Sequence, residues 1–339
     1  MVSNPLTAIP GGNETQIIIP IIPHPDKNSF LTNSLSSKPF LFSIFYCFSP
    51  QATSNAGCGC CEMTNEYKIL GEKLNEQGTA KVLMYAKEES NILNRACCAP
   101  NHALKVKFHM PDPNNNKKPS KNPEDVVWTM ERDGCCTKWL NCCCPLTGCC
   151  QQDMKLWAGN MEEDIGKITG QLIGRAMVPK PFGGCLTPTL HIMERDATEP
   201  GAKLEGPTLF GGCTELCFTT EWPISKFASE KKAGDLAMIQ KMKPDTFTDA
   251  MKELLGDADT YRMSVSPGMS ADQKAVFLAS LLLLDYMFFE RDSDMIKFEN
   301  GCQTLTINCF MLYCCGVLCP CTCTLDARKD KDGDGIPDN

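Results

Sequence analysis

The stretch that most constrains this chain is AVFLASLLLLDYMFF, residues 275–289, which would be apolar on every side of a helix except at Asp285. It follows Ser270-Ala271-Asp272-Gln273, whose S-x-x-Q spacing is that of a capping box and predicts a helix start. A helix that is hydrophobic all round has to be buried, either inside protein or in lipid. The surroundings of this helix therefore decide the fold.

Length and charge favour burial in protein. The 15 residues span about 22 Å at the helical rise, whereas the hydrocarbon core of a bilayer is about 30 Å thick. Asp285 would add a cost of roughly 3 kcal/mol in lipid. The sequence therefore favours a protein-enclosed helix over a transmembrane one. The residues assigned to this central helix are Ala275, Phe277, Leu281, Leu284, Asp285, Phe288 and Phe289.

Short runs of alternating apolar and polar residues occupy much of the chain from Tyr67 onward. They include KVLMYAKE, HALKVKFHM, LTPTLHIME and DTYRMSVS, and turn signals such as EPGAKLEGP separate them. Many short strands with few helices indicate an antiparallel sheet protein, a barrel or a sandwich. A hydrophobic helix inside a closed antiparallel barrel would satisfy both signals.

Composition divides the chain into four parts. Residues 1–62 are rich in Pro, Ser and Asn and predict a disordered arm, in which the PxxP match at residues 20–23 is a candidate site for protein partners. Residues 63–299 form the expected barrel domain. Residues 300–325 are a Cys-rich apolar segment, and residues 326–339 are an acidic tail. The formal net charge of −8 argues against nucleic-acid binding.

Cysteine is the outlier in composition, with 23 residues, five of them in the stretch NCCCPLTGCC. Residues 1–16 contain no Lys or Arg and do not form a secretory signal, so we expect reduced thiols on the cytosolic side. The spacing of cysteines and histidines fits zinc poorly. S-acylation suits such a cluster best, since several acyl chains together anchor a protein stably. The predicted sites are Cys142, Cys143, Cys144, Cys149 and Cys150.

Several segments, in their order along the chain, resemble the phospholipid scramblase family. They are KVLMYAKEESNILNRACCAP, MERDGCCTKWLNCCCPLTGCC, FGGCLTPTLHI, LEGPTLFGGC and VSPGMSADQKAVFLASLLLLDYMFFE. The resemblance covers roughly residues 65–298. It implies a mainly β, tubby-like fold, in which an antiparallel barrel of about twelve strands closes around the hydrophobic C-terminal helix. It also implies that the cysteine cluster is acylated, although Leu146-Thr147-Gly148 here divides the cluster of the family into two groups.

Two acidic stretches are candidates for calcium. The resemblance places the acidic loop of the family at residues 257–272, where Asp257 and Asp259 match its first and third positions. The tail DKDGDGIPDN offers a sharper pattern of oxygen ligands at alternating positions. Its candidate ligands are Asp330, Asp332, Asp334 and Asp338. A turn leading into a strand is the competing interpretation of the first stretch, and a flexible acidic tail that of the second.

The resemblance implies a membrane-associated protein that moves phospholipids between leaflets in response to calcium and without ATP. We expect no enzymatic activity, because the sequence contains no catalytic constellation. The expected location is the cytoplasmic face of a membrane, the plasma membrane in the first instance. One alternative is a lipid-anchored interaction or signalling module that binds phospholipid without moving it, because an enclosed helix offers no path for headgroups. A cysteine-rich metal-binding protein is a further alternative.

Overall fold

The structure is a computed structural model, and it describes part of the chain in defined ranges. These are residues 40–46, 65–74, 80–91, 102–133, 151–161, 170–180, 182–228, 234–246, 259–289, 296–299 and 304–326.

The described residues are mainly β-strand. In chain order the strands are β1 (Phe40–Tyr46), β2 (Glu66–Leu74), β3 (Ala80–Glu89), β4 (Leu104–His109), β5 (Pro111–Asp112), β6 (Asn115–Pro119), β7 (Val126–Arg132), β8 (Asp153–Ala158), β9 (Leu172–Met177), β10 (Thr189–Glu194), β11 (Ala202–Glu205), β12 (Leu209–Phe210), β13 (Thr220–Lys226), β14 (Ala237–Lys241), β15 (Thr260–Val265), β16 (Ile296–Glu299), β17 (Thr304–Cys314) and β18 (Val317–Asp326). The α-helices are α1 (Thr214–Cys217) and α2 (Ala271–Leu284), and α2 continues as a π-helical turn, Asp285–Phe289.

Twelve strands form one antiparallel sheet in the order β1-β15-β14-β13-β11-β10-β9-β8-β7-β4-β3-β2. Strand β1 pairs with β15 on one side and with β2 on the other, so the order returns to the strand on which it starts. Most neighbours in the sheet are also neighbours in the chain, as expected of strands joined by short turns. The prediction of a mainly β, antiparallel fold with an apolar C-terminal helix is confirmed.

Strand β1 corrects the predicted extent of the disordered arm. Phe40–Tyr46 lies within residues 1–62 but is a strand, with Ile44 opposite both Tyr261 of β15 and Ile69 of β2. The run FLFSIFY is aromatic and β-branched, a composition that favours strands once a neighbouring strand edge is available. Composition averaged over the whole arm conceals such a short run.

The Cys-rich segment forms a hairpin outside the large sheet. Strands β17 and β18 pair along their length and turn at Cys315 and Gly316, which both have positive φ angles, 51° and 85°. β17 also pairs with β12 and β16. In the part of the chain that the structure describes, we find no helix with the length and apolar character to cross a membrane.

Helix α2 starts where the sequence predicts. The Ser270 side chain accepts a hydrogen bond from the Gln273 amide (3.1 Å), and the Gln273 side chain accepts one from the Ser270 amide (2.9 Å), which completes the capping box. The helix is buried continuously from Ala275 to Leu284 and packs against β8, β9 and β10. Every residue assigned to the central helix from the sequence is buried.

Gly174 of β9 sets how closely the sheet approaches α2. A Cβ atom on Gly174 would lie 2.6 Å from Cγ2 of Val276 and 2.6 Å from the backbone oxygen of Met193. No side chain larger than hydrogen fits there without movement of the backbone. The leucines of α2 belong to the hydrophobic core. Burial of each leucine side chain stabilises the fold by about 2 kcal/mol.

Candidate functional site

A buried carboxylate marks the C-terminal end of the enclosed helix. Asp285 accepts hydrogen bonds from the hydroxyl groups of Tyr67 (2.9 Å) and Tyr261 (2.6 Å), which come from β2 and β15. Burial and the nearby charge of Asp259 together raise the pKa of Asp285 to about 7, against the lowering effects of the Tyr261 hydrogen bond and the Lys241 charge. Asp285 is therefore a carboxyl group that exchanges its proton near neutral pH.

A buried lysine lies beside this carboxylate. The Lys241 ammonium contacts the Asp259 carboxylate (2.8 Å) and the Glu215 carboxylate, and it lies 4.0 Å from the ring centroid of Phe289. Burial alone would lower the pKa of Lys241, but Asp259 and Glu215 raise it above its ordinary value. Lys241 is therefore a permanent cation that compensates two carboxylates and, through Phe289, contacts the π-helical turn.

A second polar cluster begins one residue further along. The Tyr286 hydroxyl donates to Oε2 of Glu88 (3.0 Å), which also accepts from the Asn65 amide (3.1 Å), while His102 lies 3.2 Å from Oε1. Burial would raise the pKa of Glu88, but hydrogen bonds from His102, Ser90 and Asn65 lower it below its ordinary value. The π-helical turn thus directs two successive side chains, Asp285 and Tyr286, to two different polar clusters.

An aromatic cluster completes this end of the helix. Phe288 stacks on Trp222, with ring centroids 5.4 Å apart and planes 22° from parallel, and Phe210 meets both Phe288 and Phe289 edge to face. Such pairs add about 1 kcal/mol each beyond the area they bury. The end of the helix is therefore held by apolar as well as polar contacts.

The N-terminal end of the helix opens into a cavity of about 370 Å³. Its walls combine apolar and polar surface, with the exposed Lys226 and Glu194 at its mouth, and Glu194 accepts a hydrogen bond from Gln273 Nε2 (2.7 Å). The apolar wall residues are Ile192, Ala202, Leu236, Met269, Val276 and Phe277. A cavity that offers both apolar side chains and charged groups can contact both parts of an amphiphile.

Asp259 does not fit a calcium site. Its carboxylate contacts the Lys241 ammonium and accepts a hydrogen bond from the Tyr261 hydroxyl (3.2 Å), so cationic and donor groups occupy the positions that a metal ion needs. Among the described residues no group of three or more His, Cys, Asp or Glu side chains could hold a metal ion. Asp257 and the tail aspartates Asp330, Asp332, Asp334 and Asp338 lie outside the described residues.

The predicted acylation cluster, Cys142, Cys143, Cys144, Cys149 and Cys150, also lies outside the described residues. Asp285 and Asp259 were named from the sequence in other roles, whereas Lys241, Glu215 and Glu88 were not identified from it. One signal for them existed: β14 alternates as buried Ala237, Ile239 and Lys241, which places a lysine on the inward face of a strand. A buried lysine requires buried anionic partners, but nothing local to β14 indicates Glu215 or Asp259 as those partners.

The structure combines one large antiparallel sheet with a buried apolar helix, which has buried polar groups at one end and a cavity at the other. The sequence model of the Scramblase family matches residues 58–291, which include α2 and eleven of the twelve strands of the large sheet. The chain belongs to the Scramblase family.

Individual relatives agree with the family match. Phospholipid scramblase 1 of Homo sapiens is 24% identical over 229 residues, which cover 68% of this chain and 58% of the human protein. Phospholipid scramblase 2 of Bos taurus is 25% identical over 232 residues, which cover 68% of this chain and 62% of the bovine protein. The chain therefore spans about six tenths of the length of these curated relatives. No solved structure matches it.

Proposed function

We propose that this protein is a membrane-associated, phospholipid scramblase-like protein that moves phospholipids between leaflets without ATP and in response to calcium. The observation that carries the proposal is the family match over residues 58–291, because it coincides with the helix and the sheet around it. The proposed attachment is to the cytoplasmic face of the plasma membrane through the acylated cysteines 142–144, 149 and 150. The proposed activity breaks no covalent bond, so it needs no catalytic residues.

In this proposal the large sheet is a closed, tubby-like barrel around α2. The pairing of β1 with both β2 and β15 supports closure, since it leaves neither neighbour with an open edge on that side. Closure keeps the leucines of α2 away from solvent. The proposal therefore assigns α2 to the core of a compact domain beside the membrane.

The cavity at the N-terminal end of α2 supports contact with phospholipid. An acyl chain would contact the apolar wall formed by Ile192, Leu236 and Phe277, while Lys226 at the mouth would attract a phosphate group. The volume of about 370 Å³ is near the lower end for ligand sites, so it accommodates part of one lipid rather than a whole one. This geometry makes the cavity the proposed point of entry for a lipid.

The enclosed helix favours a second candidate function, a lipid-anchored module that binds phospholipid without moving it. Leu281, Leu282 and Leu283 are each 0% exposed, so the described part of the domain offers no polar route along the helix. Lipid movement therefore requires a rearrangement of the domain or of the bilayer beside it. Binding alone requires neither.

A reconstitution assay separates the two functions. The purified full chain is placed in liposomes that contain a fluorescent phospholipid, and an external quencher is added with and without calcium. Scrambling exposes the inner-leaflet label, so quenching proceeds well past one half, whereas a binding module leaves it near one half. If calcium and protein together leave the inner label protected, the scrambling proposal is wrong and the binding module stands.

A variant links the activity to the cavity. A Cβ atom on Gly201, which lines the cavity, would meet no atom within 4 Å, so Gly201→Trp adds bulk beside the cavity without an immediate clash. We expect a severalfold slower loss of the inner-leaflet label. Leu186→Trp adds the same side chain at a 56% exposed position outside the cavity and should leave the rate unchanged.

Calcium response is assigned to the acidic tail. Asp330, Asp332, Asp334 and Asp338 follow an oxygen-ligand spacing, and Asp259 is excluded by its contact with Lys241. The double variant Asp330→Asn/Asp332→Asn should weaken calcium binding measured by isothermal titration calorimetry at least about tenfold, because ligand charge sets the affinity of such loops. Unchanged calcium binding would remove the tail from the proposal.

A further inference from the structure

The outer face of the β17–β18 hairpin carries thiols and no charge. Residues 304–325 contain no Asp, Glu, Lys or Arg. Cys319, Cys321 and Cys323 of β18 are all exposed, and because they alternate along a strand they lie on the same face. The opposite face of the hairpin contributes Met311 and Tyr313 to the protein interior. The hairpin is therefore attached to the domain through β17, and the thiols of β18 are open to the surroundings.

The surroundings of these thiols on the same face are apolar. Leu312 lies opposite Cys319, Phe310 opposite Cys321 and Ile307 opposite Cys323 in the strand register. Val317 and Leu325 at the two ends of β18 are 42% and 60% exposed. An uncharged, exposed apolar patch of this kind on a folded domain marks a surface that contacts another apolar phase.

From this arrangement we infer that Cys319, Cys321 and Cys323 are S-acylation sites, and that the acylated hairpin lies against the membrane surface. In the reaction a cysteine thiolate attacks the carbonyl carbon of a long-chain acyl-coenzyme A. A carbon–sulfur bond to cysteine forms, the carbon–sulfur bond to coenzyme A breaks, and coenzyme A leaves as a thiol with the proton that the cysteine has lost. No electron transfer is involved, and the acyl chains extend the uncharged face.

Two other cysteine chemistries fit the hairpin less well. Cysteines two positions apart on one strand have Cα atoms about 6.6 Å apart and parallel side chains, whereas a disulfide needs Cβ atoms about 3.8 Å apart. Bridges within β18 are therefore excluded. Cys309 of β17 lies close enough to form a disulfide with Cys323, because their sulfur atoms are 3.3 Å apart. Such a disulfide would leave Cys319 and Cys321 as free thiols. No metal-binding group is present among the described residues.

The inference extends the proposed membrane attachment, on which it rests, to a second site about 170 residues after the predicted cluster. One acyl chain binds a membrane only marginally, with an association constant of about 10⁴ M⁻¹, whereas several chains anchor stably. Two separated anchors would also restrain the orientation of the domain, because each holds a different surface against the bilayer.

The test uses the full chain expressed in cultured eukaryotic cells and a hydroxylamine-dependent exchange of thioesters for mass tags. The background variant replaces cysteines 142–144, 149 and 150 by serine. We expect it to keep up to three tags, which disappear when Cys319, Cys321 and Cys323 are also changed to serine. In the same step the membrane-bound fraction should fall at least about tenfold. Cys217→Ser, which removes an exposed thiol elsewhere, should remove no tag.

Peptide mapping of the unmodified chain makes the result independent of how the variants fold. The peptide that contains residues 317–326 should carry acyl groups that hydroxylamine releases. An unacylated peptide, or tags that appear after reduction without hydroxylamine, overturns the inference, since reduction indicates a disulfide. If the hairpin is not acylated but the protein moves lipid in liposomes, only the inference about the hairpin is wrong. An acylated hairpin with inactive protein in liposomes instead contradicts the proposed scrambling.

Discussion

At the scale of single residues, the buried polar groups at the C-terminal end of α2 have the largest expected effect on stability. Glu215, Asp259 and Asp285 are buried near one cation, Lys241, which forms ion pairs with Glu215 and Asp259. One cation cannot balance three carboxylates at once, and the proton of Asp285 relieves the excess of negative charge. The stability of this region should therefore depend both on Lys241 and on pH.

The first prediction concerns pH. The pKa of Asp285 is raised to about 7 in the folded protein, against about 3.9 in an unfolded chain. Between these values the folded state holds a proton that the unfolded state has lost, so the contribution of Asp285 is present below about pH 4 and lost as pH rises to 7. Asp285→Asn removes this dependence.

Urea unfolding at pH 5, 6 and 7 measures this effect. The free energy of unfolding of the parent chain minus that of Asp285→Asn should fall by about 2 kcal/mol from pH 5 to pH 7, since each pH unit contributes at most about 1.4 kcal/mol. Taking this difference cancels titrations common to both proteins, such as that of Glu88. A difference that is constant, or that rises with pH, contradicts the assignment of a raised pKa.

The second prediction concerns Lys241. Lys241→Met leaves Glu215 and Asp259 buried without their cation, so the free energy of unfolding should fall by about 3–5 kcal/mol. Lys87→Met is the matched control, because Lys87 pairs with Glu66 (3.2 Å) where both side chains are about half exposed. Its effect should stay below about 1 kcal/mol. Similar losses for the two variants in urea unfolding would show that the buried pairs are not formed.

At the scale of elements, the packing of α2 on β9 depends on one glycine. Gly174→Ala places a methyl group against Val276 and the Met193 backbone. Overpacking of this kind costs about 1–3 kcal/mol, so we expect a lower midpoint in urea unfolding. Gly201→Ala is the control, because its added methyl group meets nothing within 4 Å and should be neutral or slightly stabilising. Equal midpoints for the two variants would place α2 away from β9.

At the scale of the whole molecule, β1 is the strand that joins β2 to β15 in the described part of the chain. A chain that begins at residue 48 lacks β1, which exposes the edges of both neighbouring strands. With several ladder hydrogen bonds lost at about 1 kcal/mol each, stability should fall by at least about 3 kcal/mol. The open edges should also promote association. Size-exclusion chromatography and urea unfolding measure the two effects.

The control for this truncation begins at residue 39 and keeps β1. Since it retains both strand pairings, its association state and unfolding midpoint should equal those of the full chain. If the shorter chain behaves like this control, β1 does not close the sheet, and the proposed barrel is wrong.

Much of the fold could be predicted from local patterns. The period-two runs predicted strands such as β4 and β15, and both alternate between buried and half-buried residues as expected. The capping box predicted the start of α2, and its uniform apolar character predicted burial on all sides. These features depend on side chains that are close in sequence, so the sequence alone determined them.

Tertiary structure decided the rest. Asp285 meets Tyr67 across 218 residues of chain, and Lys241 meets its carboxylates from separate elements. Strand β1 pairs with β2 on one edge and with β15 on the other. The thiols of β18 are exposed because their hairpin packs on the domain through β17. A local pattern gives the preference of a segment, whereas the partner that satisfies a buried charge or a strand edge is chosen by how the whole chain folds.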